Sequence, residues 1–134
     1  MEKIPGDPQH VLVVEDDLPI ALMIAGILAV EGYEVDTAGN GRLALERIAA
    51  KEYDLILSDL RMPELDGVGL YRELERRQPD LLRRLIIITG TSWHPDYQAF
   101  LEETRVPVLE KPFSLSALQK LASQVLAAAA QPRR

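Results

Sequence analysis

Four short polar clusters in this chain each follow directly on an apolar run: Glu15-Asp16-Asp17, Ser58-Asp59, Thr89-Gly90-Thr91 and Glu110-Lys111-Pro112. Brought to one place, these acids, hydroxyls and an amine would make a site for a hard cation and an oxyanion. Carboxylates so grouped repel one another unless a cation sits among them, and an all-oxygen donor set suits Mg2+. Mg2+ keeps several waters and bridges to phosphoryl oxygens, so a protein need supply only one or two carboxylates and a backbone carbonyl. An aspartate beside it can act as a nucleophile toward phosphorus and form an aspartyl phosphate. A lysine and a threonine hydroxyl are suitable donors for the equatorial oxygens.

The clusters are scattered from Glu15 to Pro112, so a fold must gather them. His10 to Val14 is a β-branched run without polar alternation, as expected of a parallel strand buried on both faces. The same signature recurs at Leu55 to Leu57 and Leu85 to Ile88, and more weakly at Val35 to Ala38 and Val106 to Leu109. Between these runs the spacing predicts helices over Pro19 to Glu31, stopped by Gly32; Arg42 to Lys51; Val68 to Arg77, stopped by Pro79; Pro95 to Glu103; and Leu115 to Ala130, capped by Ser114 or Ser116. Strand and helix alternate throughout. The expected architecture is therefore α/β: a doubly wound five-stranded parallel sheet with helices on both faces and right-handed crossovers. In such sheets ligands bind beyond the carboxyl ends of the strands, which is where all four polar clusters fall.

The 134 residues fit one domain, which we expect at 10–130, flanked by a polar leader at 1–9 and a tail at 131–134. A chain this long buries roughly 65–70% of its unfolded surface, enough for a real core. The absence of cysteine excludes disulfides, thiolate metal sites and a cysteine nucleophile. A net charge of −6, from 21 acidic against 15 basic residues, argues against a nucleic-acid partner. No apolar run reaches the ~18 residues of a membrane span, and the N-terminal residues lack the apolar core of an export signal, so a cytoplasmic location is expected.

At this point the residues carry a resemblance. Val11 to Asp17, Leu55-Ile56-Leu57-Ser58-Asp59-Leu60-Arg61-Met62-Pro63-Glu64-Leu65-Asp66-Gly67, Ile88-Thr89-Gly90 and Glu110-Lys111-Pro112-Phe113 resemble the four signature blocks of receiver domains of two-component signalling, in order and at family-like spacing from Val11 to Leu126. Each block alone is weak; the four together are specific. The resemblance implies a flavodoxin-like sheet of order 2-1-3-4-5. It also implies roles: Asp59 as phosphoacceptor, Asp16 as a direct Mg2+ ligand, Glu15 as an acid near the metal, and Arg61 as the source of a backbone carbonyl to it. Thr89 and Lys111 would bind phosphoryl oxygens. The expected phosphodonor partner is a histidine kinase or a histidine phosphotransfer protein, and the chain would be no enzyme beyond its own phosphorylation and dephosphorylation. With no output module in the sequence, the signal would leave through protein contacts or onward relay of phosphate.

The sequence departs from the family pattern at three places. The acidic pair is Glu15-Asp16 where many members have two aspartates, which should keep metal binding. Val108 stands where many members carry an aromatic ring that swings inward on activation, so that coupling cannot operate in its usual form. Thr104-Arg105-Val106-Pro107 lacks the usual Gly-Ala before the fifth strand. Rival functions fit less well. A dehalogenase-type phosphatase needs an acid two residues after its nucleophile, and Arg61 stands there. A flavin module wants a Ser/Thr-rich phosphate loop after the first strand, where this chain puts acids. A degenerate receiver serving as a docking scaffold is the serious alternative.

Other residues read more plainly. Asp17 precedes Leu18-Pro19 and reads as a helix N-cap before it reads as a third ligand. Trp93 and His94 read as surface or packing residues. In the first helix no charge occurs from Leu18 to Val30. Helical spacing sets Ile20, Met23, Ile24, Ile27 and Leu28 toward the sheet and leaves Ala21, Leu22, Ala25, Gly26, Ala29 and Val30 outward. That outer face, with Leu22, Gly26 and Val30 every fourth residue, is expected to meet a partner helix or a second copy in a homodimer.

Overall fold

The computed structural model describes residues 7–130; part of the expected leader, 1–6, and the whole tail, 131–134, lie outside them. The elements run β1 (His10–Val14), α1 (Leu18–Val30), β2 (Glu34–Ala38), α2 (Gly41–Ala50), β3 (Leu55–Asp59), α3 (Gly67–Arg77), a 3-10 helix (Pro79–Arg84), β4 (Leu85–Thr89), α4 (Pro95–Thr104), β5 (Val108–Glu110) and α5 (Leu115–Ala129). All strand pairs are parallel, and the order across the sheet is β2-β1-β3-β4-β5. The order reverses at β1, so the crevice beyond the ends of β1 and β3 is the switch point where such sheets bind ligands.

Successive strand residues point to opposite faces, and that alternation divides the core in two. Leu12, Val14, Ile56 and Ile87 pack with Ala44, Ile48, Leu70, Leu74 and Phe100 under α2, α3 and α4. Val11, Val13, Leu55, Leu57, Ile86 and Ile88 pack with Ile24, Leu28, Leu118, Ala122 and Val125 under α1 and α5. Strands apolar on both faces leave the polar residues only at their ends.

Side chains set the helix starts. Asp17 accepts from the Ile20 amide, Asn40 from Leu43, Asp66 from Gly69, and Ser114, not Ser116, from Ala117. His94 caps α4, its Nδ1 accepting from the Asp96 amide at 3.1 Å, which gives this residue a structural task that the sequence had not marked. Helix α1 ends in a Schellman motif: Tyr33 N–H bonds to the Leu28 carbonyl, Gly32 N–H to that of Ala29, and Gly32 takes the positive φ of 93° that the motif requires.

Two expectations are corrected. The fifth strand begins at Val108 rather than Val106, because Pro107 has no N–H to donate, although its carbonyl accepts from Ile87. Pro79, which stops α3, also starts the 3-10 helix that leads to β4. In α1, Ala21 is buried on the sheet and Met23 is half exposed. The packed stripe centres on Ile24, and at 3.6 residues per turn Ala21 lies about 60° from it whereas Met23 lies about 100° away. Side-chain size does not set the stripe: the small Ala21 lies inside it and the larger Met23 outside.

Candidate functional site

Register brings the clusters together. Val14 pairs with Ser58, Asp59 with Ile88 and Thr89 with Glu110, so β1, β3, β4 and β5 end at nearly one level. Glu15 continues past β1 with its amide bound to the Ala38 carbonyl at 3.0 Å, and Lys111 continues past β5 with its amide bound to the Thr89 carbonyl at 2.9 Å. Carboxylate oxygens of Glu15, Asp16 and Asp59 lie within 4.8 Å of one another. Glu15 and Asp59 are buried, whereas Asp16 faces solvent.

Lys111 holds the two buried acids. Its Nζ donates to Glu15 Oε1 at 2.8 Å and to Asp59 Oδ2 at 3.1 Å. The remaining oxygens are also bound: Asp59 Oδ1 accepts from the Leu60 amide at 2.7 Å, and Glu15 Oε2 from the Asp17 amide at 3.2 Å. Burial raises the Glu15 carboxyl above the ordinary glutamate range, opposed by the Lys111 hydrogen bond and reinforced by the Asp59 charge. Burial also works against the Lys111 ammonium, but its bonds to Glu15 and Asp59 outweigh this and hold it above the usual lysine value. One lysine thus stands against three carboxylates. The donor set is all oxygen, compact and short of positive charge, and this fits a small hard cation such as Mg2+.

Glu15, Asp16, Asp59 and Lys111 are therefore gathered as the sequence implied. Thr89 is at the same edge, but its hydroxyl is engaged elsewhere: Oγ1 lies 2.9 Å from Thr91 Oγ1 and accepts the Thr91 amide at 3.0 Å. Arg61 lies exposed in the loop after β3. Asp17 stays out of the acidic group as the cap of α1. Gly67 fits closely under the site, since a Cβ there would come within 2.5 Å of the Asp59 carbonyl oxygen. Trp93 lies exposed in the loop leading to α4. The sequence reading missed the Thr91 lock on Thr89, although the Thr-Gly-Thr spacing is the signature of a hydroxyl that can turn back on its own chain.

The family model described as the response regulator receiver domain matches residues 11–123. The transcriptional regulatory protein GlrR of Escherichia coli K12 is 34% identical over 119 residues, covering 89% of this chain, and the chain spans only 26% of that protein's length. The crystal structure of the signal receiver domain of a signal transduction histidine kinase from Syntrophus aciditrophicus superposes with a TM-score of 0.83 at 31% identity, covering 93% of this chain and 95% of that one. The receiver domain of a sensor histidine kinase from Pseudomonas aeruginosa PAO1, with a magnesium ion coordinated in its active site cleft, gives a TM-score of 0.81 at 28% identity, covering 90% of this chain and 99% of that one.

Proposed function

Because the chain belongs to the response regulator receiver domain family, we propose that Asp59 is its phosphoacceptor and that phosphorylation there switches protein contacts or passes phosphate onward. The observation that carries this reading is the Lys111 ammonium lying between Glu15 and Asp59 beside a third carboxylate. Glu15, Asp16, Asp59 and the backbone carbonyl of Arg61 would hold Mg2+. The ion, when bound, would offset the repulsion between the aspartate and phosphoryl oxygens.

A carboxylate oxygen of Asp59 attacks phosphorus of a phosphohistidine, the P–N bond breaks, and its electron pair leaves with the imidazole, which takes up a proton. The Leu60 amide on Oδ1 holds the carboxylate in place for this displacement. Lys111, already 3.1 Å from Oδ2, needs only a small shift to donate to a phosphoryl oxygen. Thr89 would have to exchange its Thr91 partner for the phosphoryl group, so we read the Thr89–Thr91 pair as the resting state of the switch. Attack of water on the phosphorus returns the carboxylate and inorganic phosphate.

We assign the receiver unit to residues 10–130. Its phosphodonor is a histidine kinase or histidine phosphotransfer protein, and the outer face of α1, with Leu22, Gly26, Ala29 and Val30 exposed and Ala25 at its edge, is the surface for that partner's helices or for a second copy. No helix among the described residues is long and apolar enough to cross a membrane. Intact-mass measurement with acetyl phosphate and Mg2+ tests the reading: one phosphoryl adduct is expected on the wild-type chain and none on Asp59→Asn. A chain that takes up no phosphoryl group would instead be a docking scaffold.

A further inference from the structure

The loop 60–66, which follows Asp59, is fastened at both ends. At its base the Gly67 amide donates to the Leu60 carbonyl at 2.8 Å. At its far end the Leu65 carbonyl accepts from the Gly41 amide at 2.9 Å, where a Cβ on Gly41 would collide with the Leu65 carbonyl. Next to this contact Glu64 has φ 66°, in the left-handed region that crowds the Cβ of a non-glycine residue. Its carboxylate reaches across to α2: Oε2 accepts from Asn40 Nδ2 at 3.0 Å and from Arg42 Nε at 3.1 Å. Both partners are themselves fixed. Asn40 caps α2 through its Oδ1, and Arg42 Nη1 donates to Glu46 at 2.7 Å.

A disfavoured backbone conformation persists only where the surroundings over-determine it. Here the surroundings are the first turn of α2. We infer that Glu64 is a positioning residue: by clamping the far end of the loop to Asn40 and Arg42, it holds Arg61 where its carbonyl can serve the acidic site, and so sets the affinity for Mg2+. The inference deepens the metal site proposed above and rests on that reading. Pairs as exposed as Arg42 and Glu64 contribute little to global stability, so the clamp acts on the loop rather than on the fold.

The test is calorimetric titration of the full chain with Mg2+ alone, alongside thermal unfolding. Glu64→Gly removes the clamp but suits the backbone angle. It is expected to weaken Mg2+ on the order of tenfold, the scale of other supporting contacts around metal ligands, with the melting temperature unchanged. Glu64→Gln keeps an acceptor for both donors and should stay near wild type. Arg42→Gln attacks the clamp from α2 without touching the loop, and should weaken Mg2+ in the same direction as Glu64→Gly. If both Glu64→Gly and Arg42→Gln bind Mg2+ as the wild type does, the clamp is a surface contact only and the inference is wrong. A wild-type chain that binds no Mg2+ overturns the inference and the metal-site reading together.

Discussion

Lys111 and Glu15, separated by most of the chain, meet at 2.8 Å, and the same ammonium reaches Asp59 at 3.1 Å. The pair neutralises a buried acid that would otherwise be costly at the sheet edge. Lys111→Ala should therefore lower stability by ~1–3 kcal/mol in the absence of divalent cation. Added Mg2+ should raise the variant's melting temperature more than the wild type's. Equal Mg2+-induced shifts in the two proteins would show that Lys111 and the cation do not share the task of charge neutralisation.

Asp16 and Asp17 are adjacent yet differently employed. Asp16 lies with the acidic group, whereas Asp17 caps α1 by accepting from the Ile20 amide. Asp16→Ala is expected to weaken Mg2+ binding strongly and leave stability nearly unchanged. Asp17→Ala should cost about 1 kcal/mol of stability, the usual loss for an N-cap, with Mg2+ affinity retained. Parallel calorimetric and urea titrations measure both, and equal losses of Mg2+ affinity would overturn the assignment.

Far from the site, the Tyr53 hydroxyl donates to Asp36 Oδ2 at 2.7 Å, and Lys51 Nζ donates to the same oxygen at 3.0 Å. The Tyr53 hydrogen bond, with the Lys51 contacts and against a burial effect, holds Asp36 below the ordinary aspartate range. A depressed carboxyl stabilises the fold above its unfolded value near pH 4 and loses that contribution as pH falls through the lower, folded value. Burial and the bond to Asp36 raise the Tyr53 phenol, so its contribution is complete below about pH 10 and is lost as pH rises beyond. Tyr53→Phe should cost about 1 kcal/mol at neutral pH. The deficit should shrink in urea titrations carried below pH 4, and a deficit independent of pH would refute the linkage.

On α1, Leu22 and Val30 are 57% and 85% exposed on a helix without charge. The variant Leu22→Glu with Gly26→Arg should keep its fold and its phosphorylation by acetyl phosphate. It should lose either the rate of phosphoryl transfer from a histidine kinase or the dimer mass in light scattering. Unchanged transfer and unchanged mass would mean that the face has neither partner.

From the sequence alone came the alternation of elements, the parallel sheet and the polar strand ends, because a strand apolar on both faces leaves a polar residue nowhere to go but its end. Glu15, Asp16, Asp59 and Lys111 were legible as polar residues within two positions of the end of an apolar run, and their separate roles only through the resemblance to receiver domains. Local chemistry also placed the Asp17 cap and the Gly32 stop, whose partners lie within one turn. What remained for tertiary structure was whatever depends on a partner distant in the chain or on the rotation of a helix against the sheet. The depth of Ala21 and the exposure of Met23 follow from how α1 seats, since residue size alone does not set a helix's rotation. The direction of the Thr89 hydroxyl needed the turn to Thr91. The clamp of Glu64 on Asn40 and Arg42 joins two segments whose spacing carries no signal, and only the packing of α2 beside the loop after β3 brings them within hydrogen-bonding reach.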